Sequence, residues 1–424
     1  MKNDFLLNAA PLAAAVLSLI LMGICGFGLL GRLTRVLRGE EEADGLSNKR
    51  EYAPVQDLAA AAIWALVSRL ALYLLAYGLY LFLELGADSF GESFMPLWCH
   101  WDARHYLGIA RDGYTAVGDE RLRLVFFPLY SLLMRVCSPL AGGNLFLTGT
   151  MISLLCTMGA AALLYDLAYL HTGRRGARLA EAYFLLNPMS VFLGCVYTEA
   201  LFLLLTLGAV CLWRRGHPWA AALCGMLSAL TRMPGVIVAG MALIALLGRI
   251  PKKTCTPKAV FSCLGQMLVV FAGLFLYWGI NYAVTGDPLM YLTYQRENWF
   301  QQAGSFWQST ANTMAYFILT VGEGDWLWTW GFQLLCMGYI YALLAFRQKR
   351  LPFDLAAYSF VYVAVVLSPT WLLSGPRYLY ALCVLPILQA QAHRGKHMHA
   401  LALGLSGLLL LVFTFGYTIS VTVL

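Results

Sequence analysis

Apolar residues run in long unbroken stretches along most of the chain, as over 58–85, 145–170 and 400–424. A helix needs roughly 20 such residues to cross a bilayer, and a helix apolar on every side has no face to offer water. The pattern predicts spans over 9–30, 58–85, 145–170, 179–195, 198–213, 217–231, 234–250, 259–284, 326–346, 353–372, 376–391 and 400–422. Segment 124–140 is also apolar, but a full crossing there would put Arg174, Arg175 and Arg178 on the outer side. It is expected to be a re-entrant or surface helix on the outer face. The expected fold class is an all-α polytopic membrane bundle, with about 12 transmembrane helices. Several spans are short and interrupted by proline, which fits a bundle that lines a cavity.

Composition narrows the function. The chain has 424 residues, 60% apolar and only 12% charged, against about 25% charged in a soluble domain. A soluble enzyme, a disordered chain, a β-barrel and a nucleic-acid binder are excluded. There are 11 cysteines, mostly inside apolar runs, and no CxxC pair. Buried free thiols are expected rather than a zinc site or a disulfide framework. The N-terminal apolar stretch is long and its basic charge follows it, which does not read as a signal peptide.

Charge sets the orientation. Of the 29 Lys and Arg, 19 fall in loops 31–57, 171–178, 214–217, 249–258, 347–350 and 392–399. The alternating loops hold nine, and Arg69 lies within a span. The first set is therefore assigned to the cytoplasm, and the net charge of +7 reflects this asymmetry and attraction to anionic lipid. Long loops 86–144 and 285–325 then face outward. The expected division is an added N-terminal span and charged loop over 1–57 with Glu40, Glu41, Glu42 and Asp44, a catalytic membrane domain over 58–392, and a C-terminal span over 393–424. No Gly-rich phosphate loop appears, so ATP-driven transport and sugar-nucleotide use on the cytoplasmic side are not expected.

The unusual polar and aromatic residues gather at the outer ends of spans: Trp101–Asp102, the FFPLY run with Tyr130, Asn187–Pro188, Tyr197–Thr198–Glu199, Arg232 beside Pro234, and Arg377–Tyr378 beside Pro376. The run WDARHYLGIARDGY over 101–114 predicts a short amphipathic helix at the membrane surface, with Asp102 one turn before His105 and Tyr106. Asp102 suits both a helix N-cap and a general base that takes a hydroxyl proton. Glu199 is costly against lipid and is expected to face the cavity. Arg232 and Arg377 read either as headgroup anchors or as phosphate forks. Outer tryptophans such as Trp299, Trp307, Trp326, Trp328, Trp330 and Trp371 exceed an interfacial belt and suit stacking on a sugar or a lipid chain. His393, His397 and His399 lie in a basic loop and read as solvated, without a metal.

Taken in order, WDARHYLGIARDGY, FFPLY, NPMSVFLGCVYTEALFLLLTLGA, LTRMPG and GPRYLY resemble the GPI mannosyltransferase 2 family and its bacterial relatives, of the GT-C fold. The resemblance extends over roughly 58–392. It implies transfer of mannose from a polyprenyl- or dolichyl-phosphate carrier, with inversion, to a lipid or glycan acceptor. It matches Asp102 to the catalytic base and Glu199, Arg232 and Arg377 to polar positions of the motifs; the expected substrate contacts are Trp101, His105, Tyr106, Tyr130, Asn187, Glu199, Arg232, Arg377 and Tyr378. His105 stands where relatives often carry an aromatic residue. No cofactor or divalent metal is expected, and no nucleic-acid partner. The alternative is a lipid or sugar transporter or flippase, although transporters favour ionisable groups near the midplane and paired repeats. A scaffold without catalysis is a third reading. Chain length and the lack of a retrieval signal lean towards a bacterial plasma membrane over the endoplasmic reticulum.

Overall fold

The computed structural model describes residues 4–43, 52–83, 90–324, 326–392 and 395–420. Asp44 and His393, named above, lie outside these. The described chain is helical, without a strand among the described residues. Its helices are α1 (Asp4–Arg38), α2 (Val55–Phe82), α3 (Phe90–Trp98), α4 (Asp102–Asp112), α5 (Leu129–Cys137), α6 (Leu145–Leu185), α7 (Glu199–Arg214), α8 (Pro218–Ala229), α9 (Ala239–Leu247), α10 (Pro257–Thr285), α11 (Met290–Trp299), α12 (Phe306–Leu319), α13 (Phe332–Arg347), α14 (Phe353–Val366), α15 (Gly375–Tyr380), α16 (Leu385–Ala390) and α17 (Lys396–Thr418).

Six helical stretches among the described residues are long and apolar enough to cross a bilayer, seven if the bent pair 119–125 and 129–141 is one span. This is a multi-pass membrane protein. Six or seven is fewer than the twelve expected, and the middle of the chain is built from short and broken helices. The bent pair turns through 108°, and Pro128 supplies the break. A bend of that size is common to a broken span and to the re-entrant helix expected over 124–140.

The long element α6 is a hairpin rather than a rod. Gly173 has φ 69° and ψ −177°, a conformation that glycine adopts without a Cβ clash. The chain reverses there: the Arg178 guanidinium lies 4.6 Å from the Tyr165 ring, Thr157 donates to the Leu193 carbonyl at 3.0 Å, and Ser153 to that of Cys195 at 2.7 Å. Two antiparallel limbs therefore lie back to back where spans were expected over 145–170 and 179–195. The returning limb breaks at Leu185. Asn187 accepts from the Met189 amide at 2.9 Å and starts a 3-10 turn, Pro188–Leu193.

That break sits at mid-depth, not at the outer end where the sequence placed Asn187–Pro188. Arg69, in the middle of α2, donates to the Leu185 carbonyl at 2.8 Å and to the Ser190 carbonyl. A broken helix leaves carbonyls without intrahelical partners, and in lipid each must find one. Arg69 supplies it, and is itself buried. The one charge expected inside a span is a structural staple.

The basic residues assigned to the cytoplasm gather at one end, and many are paired. Arg214 meets both oxygens of Asp354 at 2.9 and 2.8 Å. Arg215 lies 2.5 Å from Asp166, Arg174 2.8 Å from Asp57, and Lys252 2.9 Å from Glu42. Arg32 on α1 reaches Glu41 at 2.6 Å and the Leu351 carbonyl at 3.0 Å, so the N-terminal helix is fastened to the bundle. Arg214 is buried although it falls in one of the basic loops. His399 is also bonded, to the Tyr183 hydroxyl at 2.9 Å, which corrects the solvated reading. All eleven cysteines are free thiols.

Candidate active site

The opposite end carries the long loops. Here α4 lies under α5, fixed because Arg135 donates to the Ala110 carbonyl at 2.6 Å and Ser131 to that of Tyr106 at 2.9 Å. Arg135 thereby satisfies the open C-terminal end of α4. Trp101 precedes the helix with φ 44°, a strained backbone for a bulky residue. It is the N-cap, and Asp102 is the first helical residue with no capping bond from either side chain. The capping role weighed for Asp102 is therefore absent.

Freed from capping, the Asp102 carboxylate meets Arg377. Asp102 Oδ2 lies 2.8 Å from Arg377 Nη1. Arg377 Nε is 3.3 Å from Glu199 Oε1, an ionic contact without hydrogen-bond geometry. Arg232 donates to the same Glu199 oxygen at 2.5 Å. Four ionised groups from three distant parts of the sequence thus form one chain: Asp102, Arg377, Glu199, Arg232. Glu199 and Arg377 are buried, while the Asp102 side chain keeps 25% exposure. Neither guanidinium is a free cation, contrary to a simple phosphate fork. Tyr378 is within reach of both, 4.9 Å from the Arg232 guanidinium and 5.2 Å from that of Arg377.

Two adjoining cavities open beside this chain. One, of about 320 Å³, is lined by Trp101, Asp102, His105, Trp299, Trp371 and Arg377, among others. The second, of about 220 Å³, is lined by Asp102, Tyr106, Glu199, Arg232, Arg377 and Tyr378 with apolar neighbours. His105 stacks on Phe126, ring centroids 4.5 Å apart. Burial pushes its imidazole below the ordinary value, Asp102 opposes the shift and Arg123 adds to it. Burial likewise raises the Tyr106 phenol, with Asp102 and Glu199 adding to the effect, so it stays a neutral hydroxyl beside Thr198 at 3.4 Å.

Eight of the ten residues proposed from sequence line these cavities. Tyr130 and Asn187 do not. Tyr130 is fully buried, with its hydroxyl on the Gly149 carbonyl at 2.8 Å and on Ser153 at 2.7 Å. Asn187 lines an apolar groove elsewhere, between the broken limb of α6, α13 and α17. Sequence reasoning did not single out Gln295 and Gln301, which line both cavities. Phe300, with φ 54°, turns the chain so that the Gln301 amide returns to the Gln295 carbonyl at 3.2 Å. The Gln302 amide donates to Thr370 Oγ1 at 3.2 Å, and the Thr370 amide to the Gln302 carbonyl at 3.0 Å. These bonds tie the loop after α11 to the strip that carries Trp371.

Residues 85–280 match the family described as mannosyltransferase (PIG-V). That segment is similar to this family over a little under half of the chain. The resemblance drawn from the motifs holds over it, and it contains Asp102, Glu199 and Arg232 but not the GPRYLY run. GPI alpha-1,6-mannosyltransferase 2 of Mus musculus is 33% identical over 168 residues, 37% of this chain and 33% of that protein. The Homo sapiens protein of the same name is 32% identical over 164 residues, 36% of this chain and 32% of its own length. The matches thus span about a third of the curated relatives. These relatives are mammalian, so they lend no support to the bacterial membrane expected above. No solved structure matches the chain.

Proposed function

We propose that the chain is a GT-C type membrane mannosyltransferase. It moves mannose, with inversion, from a polyprenyl-phosphate carrier to a lipid or glycan acceptor on the non-cytoplasmic face, in a bundle of about 12 crossings. The observation that carries this reading is the placement of Asp102 at the junction of two cavities, paired with Arg377 at 2.8 Å. An acceptor hydroxyl attacks the anomeric carbon as its proton passes to the Asp102 carboxylate. The bond from that carbon to the phosphate oxygen breaks, and the electron pair leaves with the lipid phosphate. Arg377 and Arg232 stabilise that charge, as preorganised donors in a water-poor site do. Because both already hold carboxylates, the phosphate joins an existing network in which two anions balance two cations.

A carrier of this kind is insoluble, so the site must be reached from the bilayer. The second cavity has an apolar border of Met233, Pro234, Val365, Val366 and Leu372, which supports lateral entry. The scheme uses no divalent metal. Purified chain is incubated with radiolabelled polyprenyl-phosphate-mannose and a panel of lipid and glycan acceptors. Label should pass to an acceptor; transport of the intact carrier without transfer would replace this reading with the flippase.

A further inference from the structure

We propose that the two cavities are separate substrate seats that meet at Asp102, the aromatic one holding a neutral pyranose ring of the acceptor and the Glu199–Arg232 one holding the sugar phosphate of the donor. This rests on the transferase reading above and assigns its two substrates to places. The cavities share Asp102, Val125, Phe126, Gln295, Gln301, Arg377 and Tyr378, and the rest of their linings differ in chemistry.

The aromatic seat presents Trp101, Trp299 and Trp371 with the stacked His105 and the hydroxyl of Ser374. Its only charged lining residues among the described ones are Asp102 and Arg377, which neutralise each other at 2.8 Å. Flat π faces and uncharged hydrogen-bonding groups without net charge suit a neutral sugar ring and disfavour an anion. Trp299 packs edge-on to Phe126, centroids 6.2 Å apart, and Trp371 edge-on to Trp330 at 6.0 Å. Both rings are therefore held in place before a ligand arrives.

The other seat has the opposite character. Arg232 lines it, and Glu199 Oε2 is a buried acceptor without a hydrogen-bond partner among the described residues. A buried unpartnered carboxylate oxygen is costly, and a sugar hydroxyl of the donor would satisfy it while its phosphate takes Arg232. The apolar border at Met233 and Pro234 then receives the first isoprene units. Asp102, on the shared wall, faces the acceptor oxygen from one seat and the anomeric carbon from the other. Of the donor seat, Thr198, Glu199 and Arg232 lie within the segment matched to the mannosyltransferase family and Tyr362 and Ser368 beyond it; of the aromatic seat, Trp101 and His105 lie within it and Trp299, Trp371 and Ser374 beyond.

The test uses the full chain in nanodiscs with two probes: methyl α-D-mannopyranoside for the acceptor seat, followed by saturation-transfer NMR, and farnesyl phosphate for the donor seat, followed by calorimetry. Both should bind at once. Trp299→Leu and Trp371→Leu should weaken the mannoside roughly two- to tenfold each and leave farnesyl phosphate within twofold. Arg232→Lys should do the reverse, and thermal melts certify that each variant is folded. Mutual exclusion of the probes, no mannoside binding by the unaltered chain, or tryptophan variants that lose farnesyl phosphate instead would overturn the assignment. Simultaneous binding with this pattern of losses, in a chain that transfers no sugar, would uphold the two seats and defeat the transferase reading alone.

Discussion

Arg377 stands between two carboxylates, 2.8 Å from Asp102 and 3.3 Å from Glu199, though the three residues are distant in sequence. The arrangement separates their roles. Asp102 keeps a quarter of its side chain exposed and faces both cavities, while Glu199 is buried and shared by two arginines.

Asp102→Asn should abolish transfer without unfolding the chain. Asparagine retains an acceptor oxygen for Arg377 but cannot take a proton. General-base assistance is worth about 10²- to 10⁴-fold in rate, so transfer per folded protein should fall by that much while farnesyl phosphate still binds. Because Asp102 makes no cap, Asp102→Ala should lose stability only through the ion pair with Arg377. A folded Asp102→Asn protein with near-normal transfer would remove Asp102 as base.

Glu199→Gln should behave differently. Its carboxylate is buried and neutralises two guanidinium groups at 2.5 and 3.3 Å. Removing one partner of a buried pair costs about 3–5 kcal/mol, because the other charge stays buried. The variant should melt well below Asp102→Asn, with a smaller loss of transfer per folded molecule. Differential scanning fluorimetry beside initial rates distinguishes the two; equal stability of the variants would show that the buried network does not depend on Glu199.

Much of this was legible in advance, and the exceptions have physical reasons. Long apolar runs announce their helices, and basic clusters mark one end. The partners of the charges are invisible locally: Asp354 meets Arg214 across 140 positions, and nothing in either neighbourhood announces it. Asn187–Pro188 signals a break correctly but not its depth, which the Arg69 bonds to Leu185 and Ser190 set. Tyr130 shares a motif with Phe126 yet turns into the core. Gln295 and Gln301 carry no periodic signal, since a polar loop looks alike whether its amides face water or a cavity.

Topology can be read chemically. Arg175 is exposed, beside the Gly173 reversal and near the Arg174–Asp57 pair at 2.8 Å. In a background without native cysteines, Arg175→Cys should resist an impermeant maleimide added outside sealed cells and react once the membrane is opened. A cysteine at Val117, exposed in the loop after α4, should label from outside. The reverse pattern would put the site on the cytoplasmic face, contrary to the positive-inside distribution.

Acid should weaken the site region through His105. Burial, chiefly, holds its folded-state imidazole below the ordinary value; Arg123 acts the same way and Asp102 against both. A group with a depressed folded value binds fewer protons folded than unfolded, so stability rises with pH wherever the two states differ. The contribution is complete above the unfolded value of about 6.5 and is lost as pH falls from there through the lower folded value. His105→Phe preserves the flat ring against Phe126 at 4.5 Å and removes the titration. Melting temperature measured from pH 7.5 down to 5 should therefore fall less steeply for His105→Phe than for the unaltered chain. His100, also held low mainly by burial, still titrates in the variant, so the slope should shrink without vanishing. Parallel slopes for the two proteins would mean that His105 is protonated alike in the folded and unfolded chain, and that its contact with Phe126 is not a buried one in solution.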